Sequence, residues 1–350
     1  MDETPYAYHL AEQWFTVEWS DDRPENRIAR WWRMSMRHFL GFDFVHVWRN
    51  RRVIQRADAV WTHTEREHLA VALLKTLAPR RYRATSIAQS VWLWDLWPNV
   101  SRARAAFFRR LLKRHAVEVV LSRVNRDASR AAVPGRTVVR VPFGTHFAPA
   151  SPDGVVPSAP PRVLVIGNDR HRDWNMLAAV TELVPEAQFD LISLSEHVHA
   201  RQWASHVTVR SATQPEVLAA YAASTVVALP LLPNRHASGC TVAIEAISAG
   251  IPIVASDAGG IDEYVTGADA ELVPVGDAAA FAAAIRRRLT GERGGAAVPS
   301  AADRGLSERD YIARLALLTQ ATLAGTAIDP AVEAFARVAD VRRTPSEVTA

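Results

Sequence analysis

In the second half of the chain the apolar positions fall in short unbroken runs, at 162–167, 189–194, 206–210, 225–230 and 251–255. Runs of this length bounded by turn residues predict strands buried on both faces. Between and after them, 173–183, 215–223, 241–249 and 278–289 carry helical spacing. Strand and helix alternate over this region, which predicts a parallel sheet with helices on both sides, a Rossmann-like domain. The first half is less regular. Strands are expected at 58–63, 85–87, 117–122 and 137–141 with helices between them, a second α/β domain. Residues 1–20 have turn and helix character where such a domain usually places its opening strand.

Between the two patterns lies a Pro/Ser/Gly-rich run at 149–161 that neither strand nor helix tolerates. The expected organisation is therefore an N-terminal domain at 1–148, a linker at 149–161, a second domain at 162–325 and a loosely ordered tail at 326–350. A length of 350 residues suits two domains. The longest apolar stretch, around 226–233, is far short of the roughly 20 residues that a spanning helix needs. The N-terminus has no basic start followed by an apolar core, and the single cysteine, Cys240, has no internal disulfide partner. A cytoplasmic location is expected.

The net charge of +4 hides an asymmetry: residues 1–150 hold 25 Lys+Arg against 14 Asp+Glu, and residues 151–350 hold 16 against 23. Nine of the eleven tryptophans also lie in the first half. Two segments there, 101–114 and 27–37, read as helices with one apolar and one cationic face. Such helices lie in a membrane interface and attract anionic lipid; the other reading is a solvated charged face over an ordinary core. No nucleic-acid-binding signature accompanies the basic half, so nucleic acid is not an expected partner.

The most specific stretch runs from His236 to Glu263. A loop of small residues opens a helix, so Ser238, Gly239, Cys240 and Thr241 can turn backbone N–H groups toward an anion at the positive end of the helix dipole. Further into the helix, Glu245 can accept hydrogen bonds from a ribose while phosphates occupy the helix start. Its other reading is a solvated helix residue. Upstream, Gly167-Asn168-Asp169-Arg170-His171-Arg172 follows the first strand of the second domain. Arg172, or else Arg170, is the candidate guanidinium for a departing diphosphate; otherwise the segment is a ligand-free surface turn.

The stretch Ser238–Glu263 resembles the group 1 glycosyltransferases of the GT-B fold, whose pattern is a Gly-rich loop, a helix carrying Glu-Ala, then Gly-x-Pro-Val-Val-Ala and a Gly-Gly-x-x-Glu turn. The resemblance implies two Rossmann-like domains facing across a cleft, a nucleotide diphosphate-sugar donor held mainly by the second, and Gly167 and Glu263 among the donor-binding positions. In that family two glutamates lie eight positions apart. Glu245 matches the second and Ala237 falls on the first, so a carboxylate beside the donor sugar is missing. The Trp- and Arg-rich first half is similar to β-glucuronosyltransferases and related bacterial exopolysaccharide enzymes. This implies a hexosyl or uronosyl transferase, peripheral on the inner face of the plasma membrane, with a lipid-linked or soluble saccharide as acceptor. Arg235 is then placed to meet a uronate. No Asp-x-Asp motif is present, so no cofactor or bound metal is expected.

On the acceptor side, His63 ends an expected strand in Trp61-Thr62-His63-Thr64-Glu65, and Asp95 sits in the aromatic turn Trp92-Leu93-Trp94-Asp95-Leu96-Trp97. An inverting transferase needs a group to take the acceptor proton, and a carboxylate among apolar rings suits that task. Asp95 is either this base or a turn cap. His63 is either a sugar contact or a satisfied core histidine, and Thr145 is a candidate cleft residue. A different class of function stays open: a non-catalytic protein that keeps the fold and binds a nucleotide sugar or a partner.

Overall fold

The computed structural model describes residues 4–22, 24–147, 160–290 and 300–338. Most of the expected linker and the last twelve residues of the expected tail lie outside the described residues. The chain forms two compact units. The first takes the described residues up to Pro142 together with Ile312–Ala334 and Val338; the second takes Phe143–Tyr311 and Phe335–Arg337.

Unit 1 begins with a 3-10 segment, Pro5–Gln13, and the helices α1 (Arg27–Leu40), α2 (Phe44–Arg49) and α3 (Arg51–Arg56). Then come β1 (Ala59–Thr62), α4 (Glu65–Leu77), β2 (Thr85–Gln89), α5 (Leu93–Leu96), α6 (Arg102–Leu112), β3 (Val117–Val120), α7 (Arg123–Ala132) and β4 (Val138–Arg140). The four strands form one parallel sheet in the order β1-β2-β3-β4. Among the described residues no strand precedes β1. Instead, rings of the N-terminal segment pack at its end, with Phe15 edge-on to Trp61 at 5.9 Å and Tyr6 stacked on His63 at 4.4 Å.

The two basic helices that read alike in sequence have opposite fates. On α6 the apolar face is covered, with Phe108, Leu111 and Leu112 packed beside Phe42, Leu69 and Trp94. Its expected place in a membrane interface is therefore corrected, because the core takes up that face. No residue of α1 is buried.

The core of unit 1 also holds an ion pair. Glu118, 1% exposed on β3, accepts from Trp94 Nε1 at 2.8 Å and Ser129 Oγ at 2.6 Å, and lies 2.7 Å from Arg136 Nη1. A buried carboxylate is tolerable only with this many partners.

Unit 2 contains β5 (Arg162–Ile166), α8 (Trp174–Leu183), β6 (Gln188–Ile192), α9 (Glu196–His199), β7 (Val207–Arg210), α10 (Gln214–Ala222) and β8 (Val226–Leu229). These are followed by α11 (Cys240–Ala249), β9 (Ile253–Ser256), α12 (Ile261–Val265), β10 (Ala270–Val273), α13 (Ala278–Leu289) and the start of α14 (Glu308–Ala324). Six parallel strands run in the order β10-β9-β8-β5-β6-β7. The chain starts in the middle of the sheet, builds outward to β7 and returns to the other side of β5 with β8. Val163, Leu164 and Val165, like all of β8, have no exposed surface, which explains their unbroken apolar runs. The short helix α12 and the edge strand β10 lack such a run, and the sequence reading gives neither as an element.

From Ile312 onward α14 counts with unit 1. The expected boundaries placed everything from 162 to 325 in the second domain; in the structure Thr319 accepts from Trp61 Nε1 at 2.8 Å in unit 1. Part of the expected loose tail is also ordered. Val332 is fully buried, and Glu333 pairs with Arg126 at 3.1 Å and accepts the Arg140 amide at 3.3 Å.

Candidate functional site

The site lies in unit 2, at the carboxyl ends of β5 and β8. Strand order reverses between these two strands, and the loops that follow them meet there, the Leu232 amide donating to the His171 carbonyl at 2.8 Å. The loop after β5 turns at Gly167 and carries Asp169, His171 and Arg172. The loop after β8 carries Asn234, His236, Ala237 and Ser238 and runs into α11.

Arg172 ties the two loops together. It is 5% exposed; its Nε donates to the Ile166 carbonyl at 3.2 Å and its Nη1 to Ser238 Oγ at 2.6 Å. Its stem lies over Gly167, where an added Cβ would be 2.4 Å from Nε and 2.7 Å from Cγ. Gly167 is therefore required by close packing. Burial lowers the Arg172 pKa, and the neighbouring Asp169 opposes that shift; the guanidinium stays charged at neutral pH.

Asp169 gathers the remaining polar groups. It accepts from the His171 amide and from Ser238 Oγ, and it lies 3.6 Å from His171 Nδ1, 3.7 Å from His236 Nε2 and 3.6 Å from Arg172 Nη1. Burial alone would raise its pKa, but hydrogen bonds from His171, His236 and Ser238 and the charge of Arg172 hold it well below the usual carboxylate range. The His171 and His236 rings meet edge to face at 4.8 Å.

Beside this cluster α11 opens at Gly239, whose φ of +86° sets the turn, and no side chain caps it. The Cys240 amide donates to the Ala237 carbonyl at 3.0 Å and the Thr241 amide bonds the Cys240 sulfur, so the sequence expectation of free amides is corrected there, while the positive end of the helix dipole faces the loop. Asn234 braces the approach: its Oδ1 accepts the Ser238 amide at 3.1 Å and packs where a Cβ on Gly259 would be 1.9 Å away. Ala237, 1% exposed, takes the left-handed φ of 54° and donates its amide to the Gly259 carbonyl at 2.9 Å. Cys240 is buried, and burial pushes its thiol up to about 12, which leaves it an inert packing group.

Glu245 lies farther along α11 and is 7% exposed. Its Oε2 accepts from the Tyr221 hydroxyl at 2.6 Å, and its Oε1 lies 3.7 Å from His146 Nε2. Burial raises its pKa, and the Tyr221 bond and His146 pull the other way. Each carboxylate oxygen has a second lone pair free for a ligand hydroxyl.

The structure thus brings Gly167, Arg172, Ser238, Gly239, Cys240 and Thr241 together, with Glu245 deeper on the same helix. Arg170 is exposed on the turn. Glu263 lies on α12, where its carbonyl accepts from Arg304 at 3.1 Å. His63 and Asp95 belong to unit 1. The His63 Nδ1 is 2.9 Å from the Tyr8 hydroxyl, and burial pushes its pKa down to about 4, so the ring is neutral at physiological pH. Asp95 is half-buried on α5 beside the fully buried Trp94. Sequence reasoning missed Asp169, His171 and His236, although each stands inside or next to a quoted motif. It also missed Tyr221 and His146, which no local pattern marks.

A strand-order reversal, a glycine turn, a buried guanidinium and a helix N-terminus without a side-chain cap stand together in unit 2. Residues 160–291 match the family model of the group 1 glycosyl transferases. No curated protein matches the chain. Among solved structures, sucrose-phosphate synthase from Thermosynechococcus elongatus is similar at 20% identity and a TM-score of 0.60, over 86% of this chain and 77% of that one. HepE of Anabaena in complex with UDP and glucose is similar at 16% identity and a TM-score of 0.57, over 80% and 77%. The UDP-forming α,α-trehalose-phosphate synthase from Burkholderia vietnamiensis is similar at 13% identity and a TM-score of 0.54, over 90% and 80%. The fold is the GT-B glycosyltransferase fold of two Rossmann-like units.

Proposed function

We propose that this protein is a glycosyltransferase that moves a sugar from a nucleotide diphosphate-sugar to a saccharide acceptor. The observation that carries the reading is the Arg172–Ser238 bond at the start of α11, with Glu245 deeper on that helix. This arrangement offers a guanidinium and the positive end of a helix dipole to a diphosphate and a carboxylate to a ribose. HepE was solved with UDP and glucose, which supports a UDP-sugar among the candidates. In transfer, the acceptor oxygen bonds to the anomeric carbon as the carbon–phosphate-oxygen bond breaks, its electron pair leaves with the nucleoside diphosphate, and the acceptor proton goes to a base. Arg172 and the α11 dipole stabilise the developing phosphate charge without a bound metal. Asp95 is the proposed base and His63 a neutral acceptor contact. The acceptor is a lipid-linked saccharide in bacterial surface or exopolysaccharide synthesis, and the transferred sugar is a hexose or a uronate.

The test is a thermal-shift screen against UDP, GDP, ADP and dTDP with their common sugars, followed by transfer assays with the stabilising series. A ligand at a hundred times its Kd stabilises by about 2.7 kcal/mol. A shift with one series that Glu245→Ala abolishes supports the reading, and full turnover in Glu245→Ala and Arg172→Ala overturns the site. One observation favours the non-catalytic alternative: Ala237 occupies a buried position with no carboxylate. Nucleotide binding without turnover on any acceptor would establish it.

A further inference from the structure

The outer face of α1 exposes four large apolar side chains, three of them aromatic. Positions 28, 31, 32, 35 and 39 follow the i, i+3, i+4, i+7, i+11 spacing of one helical stripe. Ile28 is 78%, Trp31 70%, Trp32 51% and Phe39 75% exposed. The opposite stripe, Ala29, Arg33, Met36 and Leu40, is half-buried, and Leu40 packs on the core. The helix is held firmly at both ends. Asn26 Oδ1 accepts the Ala29 amide at 2.8 Å, and Gly41 closes the helix with a φ of +87°. Its exposed apolar stripe is thus a feature of an ordered element.

Charge decides which occupant suits this face. The helix contains no acidic residue, and the exposed Arg27 flanks the stripe. The acids at its two ends are neutralised: Arg33 pairs with Glu25 at 3.0 Å and with Asp43 at 2.6 Å. At the far end, Arg104 of α6 donates to the Phe39 carbonyl at 3.1 Å, which brings its exposed guanidinium next to Phe39. Tryptophans with arginines beside them match the boundary between acyl chains and anionic headgroups. At 1.5 Å per residue the helix is roughly 21 Å long, too short to span a bilayer. No helix among the described residues is long and apolar enough to cross a membrane.

We propose that α1 is a membrane-docking helix that lies in the plane of an anionic bilayer, with Ile28, Trp31, Trp32 and Phe39 inserted and Arg27 and Arg104 on headgroup phosphates. This places unit 1 where a lipid-carried acceptor is found. The argument uses unit 1 alone and is independent of the donor site.

The experiment is sedimentation of the full chain with phosphatidylglycerol/phosphatidylcholine vesicles and with phosphatidylcholine vesicles, at low and at raised salt, with tryptophan emission recorded. The expected result is binding to the anionic vesicles that weakens with salt, with a blue shift. The triple variant Ile28→Ser/Trp31→Ser/Phe39→Ser should lose at least about tenfold in vesicle affinity. These side chains are exposed, so the variant should keep the parent's melting temperature and its nucleotide-dependent thermal shift. Equal vesicle binding by parent and variant, or no binding to anionic vesicles at low salt, would overturn the proposal. So would a dimer of the parent that the triple substitution dissociates without any lipid binding, because a second copy would then cover the face. Loss of the nucleotide shift in Glu245→Ala with vesicle binding intact would bear on the donor site only.

Discussion

The Tyr221 hydroxyl donates a 2.6 Å hydrogen bond to Oε2 of Glu245, joining α10 to α11 inside unit 2. Burial raises the Tyr221 pKa well above its ordinary value, and the facing carboxylate adds to that shift. The phenol therefore stays a proton donor to the carboxylate at neutral pH. Tyr221→Phe removes that donor and leaves a buried carboxylate oxygen short of a partner. The expected cost is about 1–3 kcal/mol of unfolding free energy, read by urea denaturation. In a double-mutant cycle with Glu245→Gln the two effects should not add; additivity would show that the pair is not coupled.

Gly167 and Arg172 form a second pair whose geometry is demanding. A methyl group at Gly167 meets the middle of the Arg172 side chain, which cannot swing aside without releasing Ile166 and Ser238. Gly167→Ala is expected to weaken binding of the stabilising nucleotide by about tenfold or more while the chain still folds. Arg172→Lys, which keeps the charge and loses the fork, should have a comparable effect. Titration calorimetry with the nucleoside diphosphate would measure both, and unchanged affinities would remove Arg172 from the site.

In unit 1 the Glu118–Arg136 pair is enclosed beside Trp94. Glu118→Ala leaves a buried guanidinium without its counter-charge and is expected to cost about 3–5 kcal/mol. Thermal unfolding followed by circular dichroism would measure the loss. A loss below about 1 kcal/mol, the range of an exposed pair, would contradict the enclosed geometry.

Acid should destabilise unit 1 through its buried histidines, with Glu65, whose carboxyl pKa burial pushes up, acting in the opposite direction. Burial holds His63 down to about 4; His115 is held to about 3 by burial, with Lys75 and Arg136 adding to it; and burial first, then the neighbouring His115 and Arg136, holds His68 well below 6.5. An unfolded histidine titrates at about 6.5. Between about pH 6.5 and pH 4 the unfolded chain takes up protons that the folded unit refuses, so stability falls as pH falls through this window. Urea midpoints measured from pH 7 to pH 5 should decline, and more shallowly in His115→Gln. An unaltered slope in that variant would exclude His115 from the effect.

The strands and helices around the candidate site were legible because fully buried parallel strands appear as short apolar runs, and helix starts carry small residues. The stretch 236–263 showed a helix N-terminus with Glu245 on the same helix because both lie on one local element. The partners of those residues were not legible. Asp169 and Ser238 are 69 positions apart, and Tyr221 and Glu245 are 24 apart on separate helices. Only the strand-order reversal between β5 and β8 brings the first pair together. The return of α14 to unit 1 has the same character, since helical spacing fixes the element and not the surface that receives it.

The helices α1 and α6 separate the two kinds of information most clearly. Sequence by itself determined that each is amphipathic, because the periodicity of apolar and cationic positions is a property of the helix alone. Tertiary structure decided that Phe108, Leu111 and Leu112 face the core while Ile28, Trp31 and Phe39 face solvent. The physical reason is that burial requires an opposing surface. Whether one exists depends on the elements that the fold packs alongside, and no local pattern records them.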